Sequence, residues 1–151
     1  MSPNRRQVIG LAAAAFVLAV SGCATFRRGS ELEEAFADLE SLLDELAKND
    51  ARQVYLASVA RRIKIRCRAL IAEHEEFVLS FGTMLSTRDI SEAQLSRVIN
   101  EYGERREWLR NDLLRLKYEL HDALTVDEWA EVVQVLNHKS QAVAETTISG
   151  V

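Results

Sequence analysis

The chain has 151 residues, with 19 Lys and Arg against 23 Asp and Glu and a formal net charge of −4. This length suits one domain, and the mild acidity argues against a general nucleic-acid binder. One proline, Pro3, six scattered glycines and no sustained period-two alternation also exclude a β domain.

Arg5 and Arg6 precede an uncharged run over residues 8–20, which is long enough for a signal-peptide core and too short to span a bilayer stably. Ser21 and Gly22 are small, and Cys23 supplies a thiol. Val20-Ser21-Gly22-Cys23 resembles the lipobox of bacterial lipoproteins. The resemblance implies that residues 1–22 are a signal peptide. Cys23 would then become a diacylated new N-terminus, with palmitate-type chains, and be acylated again. Arg5-Arg6 also invites a twin-arginine export reading, but Gln7-Val8-Ile9 matches that pattern only loosely and paired basic residues are ordinary in signal peptides.

Loss of Arg5 and Arg6 takes the net charge to about −6 and leaves Cys67 as the remaining thiol, so no intrachain disulfide is expected. Ile63, Leu70 and Ile71 at helical spacing around Cys67 favour its burial. Residues 23–29 form a lipidated tether, in which Arg27 and Arg28 add attraction to anionic headgroups. Ala24 stands where an aspartate would, in Gram-negative sorting, hold the protein at the inner membrane. The expected site is therefore the cell envelope, at the outer membrane and facing the periplasm.

A helical domain is expected over residues 30–145. Ser30 with Glu33 reads as a capping box, and Leu32, Phe36, Leu39, Leu43 and Leu46 recur at spacings of four and three, predicting a first helix over 31–47. Asn49-Asp50 is a turn and cap. A second helix follows over 51–79 or a little beyond, with Leu56, Ile63, Leu70, Phe77 and Met84 seven apart and Gly82 loosening its last turn. Between Asp50 and Glu73 there is no acid, only Arg52, Arg61, Arg62, Lys64, Arg66 and Arg68. The plainest use for this run is pairing with the acids of the first helix.

Ser91 and Gln94 make a second capping box, opening a third helix through Leu95, Ile99, Tyr102, Arg106, Leu109, Leu113, Leu116 and Leu120. Arg106 interrupts that stripe and Arg66 approaches the edge of the stripe before it, so both must reach glutamates such as Glu73 or Glu107 or face a solvated groove. Gly103 calls for a kink or a close helix contact. In Leu124-Thr125-Val126-Asp127-Glu128-Trp129, Thr125 and Glu128 can cap reciprocally while Leu124 packs on Trp129. A fourth helix over 126–144 then buries Trp129, Val132, Val133 and Leu136, and residues 146–151 form a frayed tail. The fold is thus all-α: a long antiparallel helical hairpin with shorter flanking helices, coiled-coil-like in its spacing. Helices of about 17, 30, 32 and 19 residues cannot make a regular bundle at 1.5 Å per residue. The two long ones must project.

Leu124-Thr125-Val126-Asp127-Glu128, closing a long arginine-bearing helix, resembles the LTxxQ element of periplasmic helical proteins of the Spy and CpxP type. Ile90-Ser91-Glu92-Ala93-Gln94 is a second, looser echo. Glu128 replaces the family's glutamine, and Ile90-Ser91 its Leu-Thr, with the capping chemistry kept. The resemblance implies a helical cradle, often a homodimer, that binds unfolded envelope proteins without ATP. Arg61, Arg62, Arg66, Arg68, Arg105, Arg106 and Arg110 are the candidate client-binding residues, by their place on the long helices. Relatives include heavy-metal sensors. Here, though, His74, His121 and His138 have no second histidine three or four residues away. No phosphate loop or nucleophile setting is recognisable. The expectation is a non-enzyme with no cofactor and no metal, carrying a protein client on its helical surface. The alternative is a structural or assembly subunit of an envelope complex.

Overall fold

The computed structural model describes residues 29–48, 50–87 and 89–148, with the side chains of 29–31 and 138–148 left aside. The expected signal peptide, Cys23, most of the expected tether and the end of the expected tail therefore lie outside the described residues, as does the side chain of His138. Four helices and no strands make up the rest: α1 (Gly29–Leu46), α2 (Gln53–Leu85), α3 (Glu92–Asp122) and α4 (Val126–Ile148). The all-α fold expected from the spacing is the fold observed.

The stripes meet as their periods require. Leu32, Phe36, Leu39 and Leu43 of α1 share one core with Leu56, Val59, Ile63, Cys67 and Leu70 of α2. Leu109, Leu113, Leu116 and Leu120 of α3 and Trp129 and Val132 of α4 close it. Val133 and Leu136 are partly buried against it. Each leucine taken fully out of water contributes about 2 kcal/mol. Cys67 is buried, as its neighbours predicted.

Three local signals differ from expectation. α1 starts before Ser30, and the carboxylate of Glu33 is taken by Lys64 and Arg68 of α2. α2 runs through Gly82 to Leu85, since one glycine costs about 1 kcal/mol and a broken turn leaves several carbonyls unbonded. α4 continues to Ile148, because the first breaker in its sequence is Gly150. The Asp50 carboxylate accepts from the Arg52 backbone N–H at 2.9 Å in the turn before α2, whose N-cap residue, Arg52, makes no side-chain capping bond of its own. In the second capping box the Ser91 N–H donates to Gln94 Oε1 at 2.9 Å and the Gln94 N–H to Ser91 Oγ at 3.3 Å.

α1 packs on α2 and on α4, and α2 packs along α3. α1, at 18 residues, spans about 27 Å against about 50 Å for the 33 residues of α2. The side-chain hydrogen bonds between α1 and α2 run from Glu33 with Arg68 to Asp44 with Gln53. The core therefore stops near Leu70, and beyond it the α2–α3 hairpin stands alone. There the stripe is only half-buried. Phe77 stacks on Tyr102 at 4.0 Å and on Phe81 at 5.2 Å, and His74 Nδ1 lies 2.9 Å from the Tyr102 hydroxyl.

Nothing lies within 4 Å of a Cβ placed on Gly103, so of the kink and the close helix contact offered for it the contact is absent, and nothing in the structure explains the glycine. Gly103→Ala should raise stability by about 0.5–1 kcal/mol, read as a higher midpoint in urea. Leu113, fully buried where the helices converge, is the opposite case. Leu113→Ala should lower stability by about 2–5 kcal/mol in the same titration.

Candidate interaction surface

The residues of α2 that carry the basic run alternate between two neighbours. Lys64 and Arg68 face α1, where Lys64 Nζ lies 2.9 Å from Glu33 and Arg68 Nε donates to it at 2.8 Å. Those two hydrogen bonds, Lys64's first, hold the Glu33 carboxyl below its ordinary range. Arg62 and Arg66 point the other way, onto α3. Arg62 donates to Glu119 at 2.6 Å and Arg66 to Asp112 at 2.6 Å. Farther out the order reverses, and Arg105 of α3 donates to Glu73 of α2 at 2.7 Å.

The expectation that the basic run pairs with the first helix is thus corrected: among the described residues only Lys64 and Arg68 do so. Arg62 and Arg66 obey the antiparallel register of α2 and α3 instead, in which each step up α2 meets a residue one step down α3. Arg115 of α3 completes this edge by bonding Asp112 at 2.6 Å and also Glu119. Asp112 is held below the usual carboxylate range by Arg115 first and by Arg66 after it. The Glu73 hydrogen bond raises Arg105 above its ordinary value. Arg62 Nε is buried with no hydrogen-bond partner among the described residues.

The seven sequence-picked arginines therefore do not form one basic face. Arg62, Arg66 and Arg105 come together along the α2–α3 edge, already matched with acids, and Arg68 sits on the α1 side. Arg106 is exposed rather than set into the apolar stripe, and it donates to the Tyr102 hydroxyl at 3.3 Å instead of reaching a glutamate. Arg61 and Arg110 are exposed and form no ion pair with the described residues.

Where the edge leaves the core it opens into a groove of about 590 Å³. Ala69 and Ala72 keep it open, Arg66, Glu73 and Arg105 give it a rim of both signs, and Trp108 walls it. Trp108 is 58% exposed, and the Arg66 guanidinium lies 4.9 Å from its ring centroid. A cation over an indole attracts it electrostatically and holds the ring in one pose. Sequence reading missed Trp108. Its signal was a tryptophan one position ahead of the Leu109 stripe, on the side that carries Asp112 and Arg105.

At the opposite end, the helix-cap motif does more than cap. The Thr125 N–H donates to Glu128 at 2.7 Å and the Glu128 N–H donates to Thr125 Oγ1 at 3.3 Å, as the residues predicted. Arg52 also grips the same carboxylate with both terminal nitrogens at 3.0 Å, and it donates to the Ala123 carbonyl at 3.0 Å. This clamp ties the start of α2 to the start of α4. The Arg52 bonds first, and the Thr125 N–H after them, hold the Glu128 carboxyl at about 2 against its ordinary 4.5. Beside it His121 meets Trp129 edge-on at 5.1 Å.

Lys117 is also buried, which lowers its pKa, with its ammonium 5.4 Å from the Tyr118 ring. No group of three or more His, Cys, Asp or Glu among the described residues could hold a metal ion. No family model, curated protein or solved structure matches the chain.

Between pH 4.5 and 2 the unfolded chain binds a proton at Glu128 that the folded chain does not. The stabilisation from this group is therefore complete above about pH 4.5 and is lost as pH falls towards 2. Glu128→Gln, which can still cap, should flatten that acid limb in pH-resolved thermal melts. Thr125→Ala should cost about 1 kcal/mol. Glu128→Ala, which removes cap and clamp together, should cost more than Thr125→Ala.

Proposed function

We propose that this chain is a lipid-anchored envelope protein that binds other proteins through the groove of its projecting α2–α3 hairpin, without catalysis. The lipobox resemblance at Cys23 supports the anchor, and Ala24, in the place of a retention aspartate, favours the outer membrane, facing the periplasm. The groove walled by Trp108 supports the binding, and it is the observation that carries the reading. A half-exposed tryptophan beside small alanines, with rim charges of both signs, suits an apolar side chain flanked by polar backbone. An unfolded segment offers this. A Spy-like or CpxP-like role as an envelope-stress chaperone or sensor accessory agrees with the helical hairpin and with the capped Leu124–Glu128 element.

A second reading, a fixed subunit of an envelope assembly, draws on the pairing of Arg62, Arg66 and Arg105 with acids. Cations already neutralised attract unrelated clients weakly, whereas a rim of both signs selects one partner by complementary charge.

The purified lipid-free domain should slow aggregation of a chemically denatured client at stoichiometric ratio. Trp108→Ser should abolish that effect with an unchanged circular-dichroism melt, because the ring lies outside the core. Arg61→Glu with Arg110→Glu should weaken it less. Full activity in Trp108→Ser would overturn the groove as the site. A single partner crosslinked at fixed stoichiometry in intact cells, with no effect on denatured clients, would establish the assembly reading instead.

A further inference from the structure

We propose that the tip of the α2–α3 hairpin, residues 77–87, rests in the headgroup region of the bilayer that holds the lipid anchor. This goes beyond protein binding, and it rests on the reading that Cys23 is acylated.

The first support is a length argument. Glu33 bonds Lys64 and Arg68, which places the start of α1, four residues earlier, about level with Leu70 of α2. From there the tip at Leu85 lies fifteen residues farther, or about 22 Å. The chain from Cys23 to Gly29 spans at most about 21 Å when fully extended. With the hairpin directed at the membrane, the tip therefore reaches the surface even when the tether is fully extended. With the molecule turned over, the other end of α1, about 26 Å from Gly29, would meet the membrane instead, and the chain there carries Asp50, Arg52 and Asp127.

The second support is the chemistry of the tip. Residues 77–87 hold no charge in a chain that is 28% charged. Val78, Leu79 and Leu85 are 53%, 73% and 59% exposed. The hydroxyls of Thr83, Ser86 and Thr87 are already bonded within the helix end. Thr83 Oγ1 donates to the Leu79 carbonyl at 2.9 Å, Ser86 Oγ to the Gly82 carbonyl at 2.9 Å, and Thr87 Oγ1 to the Thr83 carbonyl at 3.2 Å. The Ser86 and Thr87 N–H groups donate to Gly82, Thr83 and Met84. Hydroxyls and carbonyls satisfied in this way lose little on leaving water, so exposed leucines can enter the interface without stranding these groups. The contact is superficial, since no helix among the described residues is long and apolar enough to cross a membrane. The Trp108 groove then opens just above the bilayer, next to whatever is emerging from or bound to it.

The test uses the full chain, exported and purified with its lipid, in vesicles of phosphatidylethanolamine and phosphatidylglycerol that carry brominated acyl chains. An environment-sensitive fluorophore is placed at Leu85→Cys and, separately, at Val54→Cys, which is 82% exposed near the opposite end of α2. Cys67 is buried, so the label falls on the introduced thiol. The probe at 85 should shift to the blue and be quenched several-fold more than the probe at 54. Val78→Glu with Leu79→Glu should remove that difference while leaving the helical spectrum and the membrane fractionation unchanged.

The mass of the N-terminal peptide reads the anchor independently. An acylated protein whose probes at 85 and 54 are quenched alike overturns the tip contact and leaves the anchor standing. Disulfide-linked pairs through position 85 without lipid quenching also overturn it, assigning the tip to a second copy. An N-terminal peptide lacking acyl mass removes the anchor reading, and the tip contact falls with it.

Discussion

The burial of the α3 leucine row depends on how far α1 and α4 reach. Leu109, Leu113, Leu116 and Leu120 are buried because α1 and α4 close over the α2–α3 pair at that level. Above Leu70 no third helix from the core covers the seam, and a two-helix contact can bury only part of each side chain. Phe77, Phe81 and Tyr102 therefore stack among themselves, and the outermost apolar residues stay in solvent. The groove, the half-covered aromatic seam and the bare tip all follow from this mismatch of helix lengths.

Charge is arranged around the same geometry. An antiparallel helix pair brings residues into edge contact at a register that neither helix sets alone, and the long guanidinium side chains span that edge while their stems cover apolar surface. Arg62, Arg66 and Arg105 each meet an acid there, and Arg115 links two of those acids. Exposed pairs of this kind add little stability, but they orient the side chains that border the groove. The clamp at the other end differs. Arg52 meets Glu128 with both nitrogens on a carboxylate already committed to a helix cap, so one side chain sets both the start of α4 and its docking against α2.

Much of the fold was legible in the chain because its signals are local. Ser91 with Gln94 and Thr125 with Glu128 cap as read, since capping involves residues three apart. The buried rows match the four-and-three spacing because a helix presents those positions on one side whatever it packs against. Helix ends were less legible. α2 passed Gly82 and α4 passed residue 144, because termination depends on whether the next turn finds a partner for its carbonyls.

The sequence by itself determined the helical class, the caps, the apolar rows and the unequal helix lengths, since these rest on periodicity and on bonds between near neighbours. Only the tertiary structure decided which acid meets which arginine. Six basic residues in one run were compatible with α1 as a partner, and the antiparallel register assigned Arg62 and Arg66 to α3 while Arg52 went to α4. It also decided that Trp108 walls a groove while Trp129 fills the core. Both tryptophans sit on amphipathic helices, and what separates them is whether another helix arrives to cover the ring. That is a property of lengths and packing across the whole chain, which no local window of residues contains.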